Sequence, residues 1–275
     1  MNEQRATSNV LKVENLVAGY ASSAEGALLR DLSFSVGAGE LLAVVGHNGA
    51  GKSTLLRVLT GQLRPLAGRV MRAGKAHSGT TPSGPTASVA PVWLPQRTEV
   101  RTAVPVRALV LMGRYRHKRW FESWAPADYA RADAALARCG VAHLAEREFT
   151  TLSGGEQQLV WLAQLWAQDA SLCLLDEPTQ QLDVYHRRRV FDLLADWVLA
   201  EGRTVVVVTH DLANLAALPA ALPATLLNLS PPDGILRVVP LTPAAVAAVQ
   251  AGLEAGPDAT LRLAAAAAAA APRRE

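Results

Sequence analysis

The sequence predicts an α/β fold built on an open, largely parallel sheet, and three short apolar runs predict it. Residues 41–45 are uninterrupted Leu, Ala and Val and lead straight into a glycine-rich loop. Residues 172–175 and 205–208 are equally apolar and are followed by Asp176-Glu177 and by Thr209-His210. A strand apolar at every position is buried on both faces, as parallel strands between covering layers are. Polar groups gathered at the carboxyl ends of such strands mark the edge where open α/β sheets bind ligands.

The remaining elements follow in chain order. Residues 11–16 and 31–36 alternate polar and apolar, as half-buried strands do. The run 41–45 is a buried strand feeding a helix from residue 52 to about residue 63. Residues 74–91 are rich in Gly, Pro, Ser and Thr and are expected to form a flexible surface loop. Residues 106–141 look helical and hold no buried-strand run, which suggests a small helical subdomain at about 100–160 inserted into one domain spanning 1–240. Residues 212–232 carry no charge, yet they contain Asn214, Pro219, Pro223, Thr225, Asn228 and Pro231. That composition suits a helix, a loop and a buried strand better than a membrane span of about 20 strongly apolar residues. A C-terminal extension covers 241–275; its all-alanine run at 264–271 is expected to fray.

Bulk properties exclude more than they assign. The 275 residues are 50% apolar and 19% charged, an ordinary globular balance with enough chain for a sizeable core. A formal charge of +3 is too small to argue for a nucleic-acid partner. Cys139 and Cys173 have neither metal spacing nor the look of a disulfide framework, which fits a reducing compartment. Residues 1–10 are polar, so no secretory signal is expected.

The chemistry sits in three places. Gly46, Gly49 and Gly51 let the backbone of the 46–54 loop close around anionic oxygens, and the following helix start adds partial positive charge. Lys52 can reach β- and γ-phosphates and the Ser53 hydroxyl can hold Mg²⁺. Asp176 and Glu177 follow a buried strand, so one carboxylate can face the metal while its neighbour positions the attacking water. A lone histidine is usually structural, but His210 ends another buried strand beside the same crevice. There it could hold a γ-phosphate or orient Glu177. His47, His77, His117, His143 and His186 have no such placement. Far downstream, Leu152-Ser153-Gly154-Gly155-Glu156 opens another helix with a hydroxyl and bare backbone N–H groups.

In this order, over about residues 11–229, these motifs resemble the nucleotide-binding subunit of ATP-binding cassette transporters. The resemblance identifies 46–54 with the Walker A loop, so that Gly46, Asn48, Gly49, Ala50, Gly51, Lys52, Ser53 and Thr54 contact the nucleotide. Gln96 matches the Q-loop glutamine that senses Mg²⁺ and the membrane partner. Residues 152–157 match the signature motif, with Ser153, Gly154, Gly155 and Glu156 facing the ATP of a second copy. Residues 172–176 resemble Walker B, with Asp176 on Mg²⁺ and Glu177 as the catalytic glutamate. Leu182-Asp183 resembles the D-loop, His210 the switch histidine, and Tyr20 the aromatic that stacks on adenine.

The resemblance implies a P-loop NTPase cassette with a RecA-like core sheet, an antiparallel β subdomain and the inserted helices. It implies ATP and Mg²⁺ as ligands, and ATP hydrolysis coupled to transport. The implied partners are a second copy of the chain, transmembrane permease subunits and, indirectly, a substrate-binding protein, with no nucleic acid. The implied location is peripheral, on the cytoplasmic face of the plasma (inner) membrane. The pattern departs from the family at Leu159, where arginine is common, at Ala163-Gln164, where Ala-Arg is common, and at Gln180-Gln181, a less common pair before the D-loop.

Residues 94–100 and 111–115 resemble the importers of metals and metal chelates, such as manganese or zinc, ferric siderophores, haem and cobalamin. An exporter subunit, a soluble cassette acting on DNA or ribosomes, and a non-hydrolysing regulatory cassette are the alternatives. About 56 positions separate Gln96 from Leu152, too few for the long coiled coil of DNA-repair types, and Glu177 and His210 argue against a non-hydrolysing cassette. The basic, aromatic stretch 114–124 reads either as a solvated face or as a docking surface for a cytoplasmic helix of the membrane subunit.

Overall fold

The structure is a computed structural model that describes residues 9–20, 26–72, 75–77, 90–96, 102–119, 121–231 and 234–254. Its strands are β1 (Asn9–Gly19), β2 (Ala27–Gly37), β3 (Leu41–Val45), β4 (Ala67–Arg72), β5 (Lys75–His77), β6 (Val92–Leu94), β7 (Leu172–Asp176), β8 (Thr204–Val208), β9 (Ala224–Asn228) and β10 (Val238–Pro240). The helices are α1 (Lys52–Thr60), α2 (Val106–Met112), α3 (Pro126–Arg138), α4 (Gly154–Ala167), α5 (Val184–Leu199), α6 (Leu212–Ala216) and α7 (Pro243–Glu254).

Two sheets result. The larger has the order β10-β9-β3-β8-β7-β6, with β9, β3, β8, β7 and β6 mutually parallel and β10 antiparallel at the edge. The smaller has the order β2-β1-β4-β5 and is antiparallel throughout. The α/β expectation is met, and the all-apolar strands explain themselves. Leu41, Ala43, Val45, Cys173, Leu175, Val205 and Val207 face a core shared with α2, α3, α4 and α5. Leu42, Val44, Leu172, Leu174, Val206 and Val208 face a second core shared with α1 and the antiparallel sheet. Each fully buried Leu or Val contributes about 1.5–3 kcal/mol relative to exposure, so every strand position is constrained on one side or the other. In β2 the alternation of exposed and buried residues from Asp31 to Val36 is that of a sheet with one wet face, whereas in β1 the alternation is interrupted around Asn15.

The described part of the run, 212–231, holds α6 and β9 as expected, and β9 lies beside β3. The strands expected at 11–16 and 31–36 extend further, to Asn9–Gly19 and Ala27–Gly37, and one helix boundary also differs from the expectation. The helix after the glycine loop stops at Thr60 rather than near residue 63, because Gly61 takes a left-handed conformation (φ 85°) and its N–H closes onto the Val58 carbonyl at 3.0 Å. Helical elements fill 106–141, and α4 continues past residue 160 to dock on the strands. Of the 74–91 segment, residues 75–77 form β5 and residues 90–91 are described; residue 74 and residues 78–89 lie outside the described residues, as does the alanine run at 264–271. Among the described residues no helix is long and apolar enough to cross a membrane.

Candidate functional site

The loop between β3 and α1 forms where the sheet hands over to a helix. Gly49 (φ 85°) and Gly51 (φ 91°) sit where L side chains are strained; a Cβ on Gly51 would also meet Leu29 Cδ2 at 2.8 Å, whereas Gly49 faces open space. Gly51 precedes the first residue of α1, so the first N–H groups of that helix lack intrahelical partners and face back toward the loop. Lys52 folds back under it, donating to the carbonyls of Gly46 (2.8 Å) and His47 (2.9 Å) while 7% exposed. Burial pushes the Lys52 ammonium below the usual lysine range, against the opposing pull of Glu177 and Asp176. The loop is pinned to β9's exit by the His47 N–H, which donates to Ser230 Oγ at 3.1 Å.

Asp176 ends β7 at 4% exposure and hydrogen-bonds the Ser53 side chain; burial raises its carboxyl above the usual aspartate range. Glu177 is turned elsewhere by a left-handed backbone (φ 49°), its N–H held by the Val208 carbonyl at 2.9 Å. A non-glycine residue there costs on the order of 1–3 kcal/mol, a strain that clusters at working sites. The turn directs the carboxylate between His210 Nε2 (2.9 Å) and Gln96 Nε2, which donates to it at 3.2 Å. The two neighbouring carboxylates thus face different partners, as the strand-end argument expects.

Leu28, Asn48, Gly49, Gly51, Lys52, Ser53, Thr54, Gln96, Glu177, Gln180 and His210 line one cleft of about 470 Å³. That volume, floored by backbone N–H groups and a lysine, fits a nucleoside triphosphate. The Ser53 hydroxyl, the Asp176 carboxylate and a Gln96 carboxamide are oxygen donors of the kind Mg²⁺ takes when phosphates supply the rest. Among the described residues no group of three or more His, Cys, Asp or Glu is clustered as a metal site.

Tyr20 lies just beyond β1, and its hydroxyl accepts from Arg57 of α1 at 2.7 Å. Sequence reasoning missed Arg57, whose only signal is its place in the helix after the loop. The 152–157 motif lies elsewhere. Ser153 caps α4: its hydroxyl accepts from the Glu156 N–H (3.3 Å), and Glu156 accepts from the Ser153 N–H (2.8 Å). Gly154 borders a second cleft of about 460 Å³, walled by α4, residues 94–96 and residues 180–182. None of Ser153, Gly154, Gly155 or Glu156 lines the nucleotide cleft of its own chain.

Asp183 is drawn into its own helix, accepting from the His186 N–H and pairing with His186 Nδ1, both at 2.8 Å. The backbone bond, then the side-chain one, holds its carboxyl below the usual range. His186, set aside in the sequence, packs against the signature: a Cβ on Gly155 would fall 2.4 Å from its ring. The spacing of three from Asp183, typical of a helix cap, was the available signal.

The 114–124 stretch fits neither of its two sequence readings as a whole. Arg114 donates to the Ala167 carbonyl (2.8 Å) and His117 Nε2 meets the Gln168 carbonyl (2.8 Å), so both serve the end of α4. Lys118 pairs with the buried Asp128. Tyr115 and Phe121 remain exposed, Phe121 at 94%.

A parallel sheet carrying a phosphate loop, with an acid pair and a histidine at neighbouring strand ends, defines a P-loop nucleotide-hydrolysing domain. The family model for ABC transporters matches residues 29–180, and the chain belongs to that family. It is an ATP-binding subunit of an ABC transporter, an ATPase coupled to transport. It is similar to the achromobactin transport ATP-binding protein CbrD of Dickeya dadantii, with 38% identity over 201 residues covering 73% of this chain and 72% of that one. It is similar to the hemin import ATP-binding protein HmuV of Gloeobacter violaceus, with 45% identity covering 69% of this chain and 70% of the relative. Among solved structures it is similar to a metal-chelate type ABC transporter in an inward-facing conformation, at 35% identity and a TM-score of 0.72, covering 85% of this chain and 84% of that one.

Proposed function

We propose that this subunit drives import of a metal chelate, hydrolysing ATP at sites shared between two copies of the chain. One observation carries the shared site: the phosphate loop and the signature residues of one chain open onto different clefts. Free N–H groups at the start of α4 suit a γ-phosphate, and a second copy docked head to tail would bring them to it. ATP bound to both faces favours the closed pair, and hydrolysis removes that preference.

In this reading the 48–54 backbone and Lys52 hold the phosphates, and Tyr20, steadied by Arg57, offers its ring to the base. Ser53 and Asp176, with Gln96, would hold Mg²⁺, which when bound draws charge from the β- and γ-phosphates. Glu177 takes a proton from the attacking water, oriented by His210 at 2.9 Å. The chelate class is supported by the achromobactin and hemin relatives and by the metal-chelate transporter at 35% identity. Permease subunits would supply the membrane path and a binding protein the cargo, leaving this chain peripheral at the cytoplasmic face. Tyr115 and Phe121, exposed on the helical insertion, would contribute apolar surface to docking. The test is reconstitution with its permease partner: Mg²⁺-dependent ATPase and uptake of a ferric chelate or haem are expected, and ATPase without uptake of any metal chelate would remove the substrate class.

A further inference from the structure

Gln180 holds a position that no motif explains. It is exposed on the turn that follows Glu177, and its N–H donates to the Glu177 carbonyl at 3.1 Å. Its side-chain Oε1 accepts from Gln96 Nε2 at 3.0 Å, and that same Nε2 donates to Glu177 Oε2 at 3.2 Å. A carboxamide nitrogen carries two hydrogens, and both are thereby engaged. The direction of the chain of bonds follows from Glu177. A carboxylate only accepts, so Gln96 must turn its nitrogen toward it, and the second hydrogen then needs an acceptor, which Gln180 supplies. Gln96 and Gln180 both border the nucleotide cleft and the neighbouring cleft under α4, so the pair stands between the two.

We propose that Gln180 is a positioning residue that fixes which end of the Gln96 carboxamide faces the nucleotide cleft. With both hydrogens committed to Glu177 and Gln180, the Gln96 oxygen is the end turned away from that pair, and it is the end a divalent cation requires. Flipped, Gln96 would present an NH₂ to the cation and an oxygen to the Glu177 carboxylate, two repulsive contacts. Without an acceptor at position 180 the productive orientation loses one of its two anchors. This inference rests on the reading of Gln96 as a group serving the nucleotide's metal.

The test uses the full chain in five forms: wild type, Gln180→Met (same length, no acceptor), Gln180→Ala, Gln180→Glu (acceptor that cannot flip) and Gln96→Ala. Two quantities are read: the Mg²⁺ concentration for half-maximal ATPase, and the gain in affinity that Mg²⁺ gives a fluorescent mant-AMP-PNP, which needs no turnover. Gln180→Met and Gln180→Ala should raise the half-maximal Mg²⁺ about fivefold, the scale of one neutral hydrogen bond. They should shrink the Mg²⁺-dependent gain in affinity similarly, with KM for ATP and the melting temperature little changed. Gln180→Glu should stay at or below the wild-type Mg²⁺ requirement. A wild-type Mg²⁺ response in the Met and Ala variants, while Gln96→Ala is shifted, overturns the role of Gln180, as does a Glu variant as impaired as the Met variant. A flat response in Gln96→Ala overturns the metal reading of Gln96 and the inference with it.

Discussion

The phosphate loop and the start of α4 are both glycine-bearing helix N-termini, yet they are embedded in opposite ways. Around the loop, Lys52 and Asp176 are 7% and 4% exposed and are bonded within the chain, the lysine to two loop carbonyls and the aspartate to Ser53. At α4, Ser153 and Gly154 are exposed, and the motif's inner contacts only brace it from behind, through Glu156 and through His186 against Gly155. A loop that must bind phosphates at every step is prebuilt by its own fold. In the proposed pair, a helix start that acts on the other copy's ligand would need rigidity and a clear outward face.

The largest effect that would test this contrast lies on the loop side. Glu177→Gln should lower kcat by about 10²–10⁴, the worth of a general base. It should leave nucleotide affinity within about twofold, since the amide still reaches His210 and Gln96. Phosphate release set against fluorescent-nucleotide binding separates the two, and a parallel loss of affinity would mean that Glu177 holds ligand rather than water.

The next test crosses the two regions. Lys52→Ala removes the phosphate hold, and Gly155→Ala drives a methyl into the His186 ring, where no Cβ fits without displacing it. Each alone should be inactive. Mixed, they can form pairs with one intact site, from the loop of one copy and the signature of the other, so activity up to about a quarter of wild type should return if copies pair at random. Absence of any recovery, with mixed pairs present by cross-linking, would mean that each chain completes its own site.

How much of this was legible in the sequence depended on range. The loop at 46–54, the acid pair after a buried strand and the helix start at 152–156 are contiguous patterns whose chemistry is local, and they could be read directly; the Ser153–Glu156 cap was not read, although its spacing of three is as local. Gln96 meeting Gln180 and Gly155 meeting His186 join residues far apart in sequence, and nothing local demands them. Arg114 and His117 looked like surface charge because the helix end that they cap lies about 50 residues downstream. The early stop of α1 was visible in principle at Gly61, the usual left-handed terminator.

A smaller effect separates function from stability on the loop side. Asp176→Asn should abolish most Mg²⁺-dependent turnover yet raise the melting temperature of the nucleotide-free chain at neutral pH by a few degrees, on the order of 1 kcal/mol. Burial raises the folded carboxyl above its unfolded value. Its contribution is therefore favourable in acid, where it is protonated, and is lost as the pH rises through the folded value. The gain from Asn should accordingly vanish below the aspartate range. An unchanged melting temperature at neutral pH would mean that Ser53 and Lys52 fully offset the buried charge.

The smallest effect belongs to the signature side. Ser153→Ala removes the capping hydroxyl of α4 and should cost about 1 kcal/mol, a melting-temperature drop of about 2–4 °C in a chain this long. Glu156 supports the same cap, and the Ser153 N–H and hydroxyl hold its carboxyl below the usual range. Its contribution is thus present at neutral pH and is lost as the pH falls through that lowered value. Glu156→Gln should match wild type more closely in acid than at neutral pH. Nucleotide affinity of the isolated chain should not respond to Ser153→Ala, because this helix start is absent from the chain's own nucleotide cleft. ATPase of the assembled pair should fall severalfold, because a frayed first turn no longer holds the Gly154 and Gly155 N–H groups in one direction. If affinity in the isolated chain fell together with turnover, the two helix starts would belong to one site, and the opposition between a self-contained loop and an outward-facing signature would be lost.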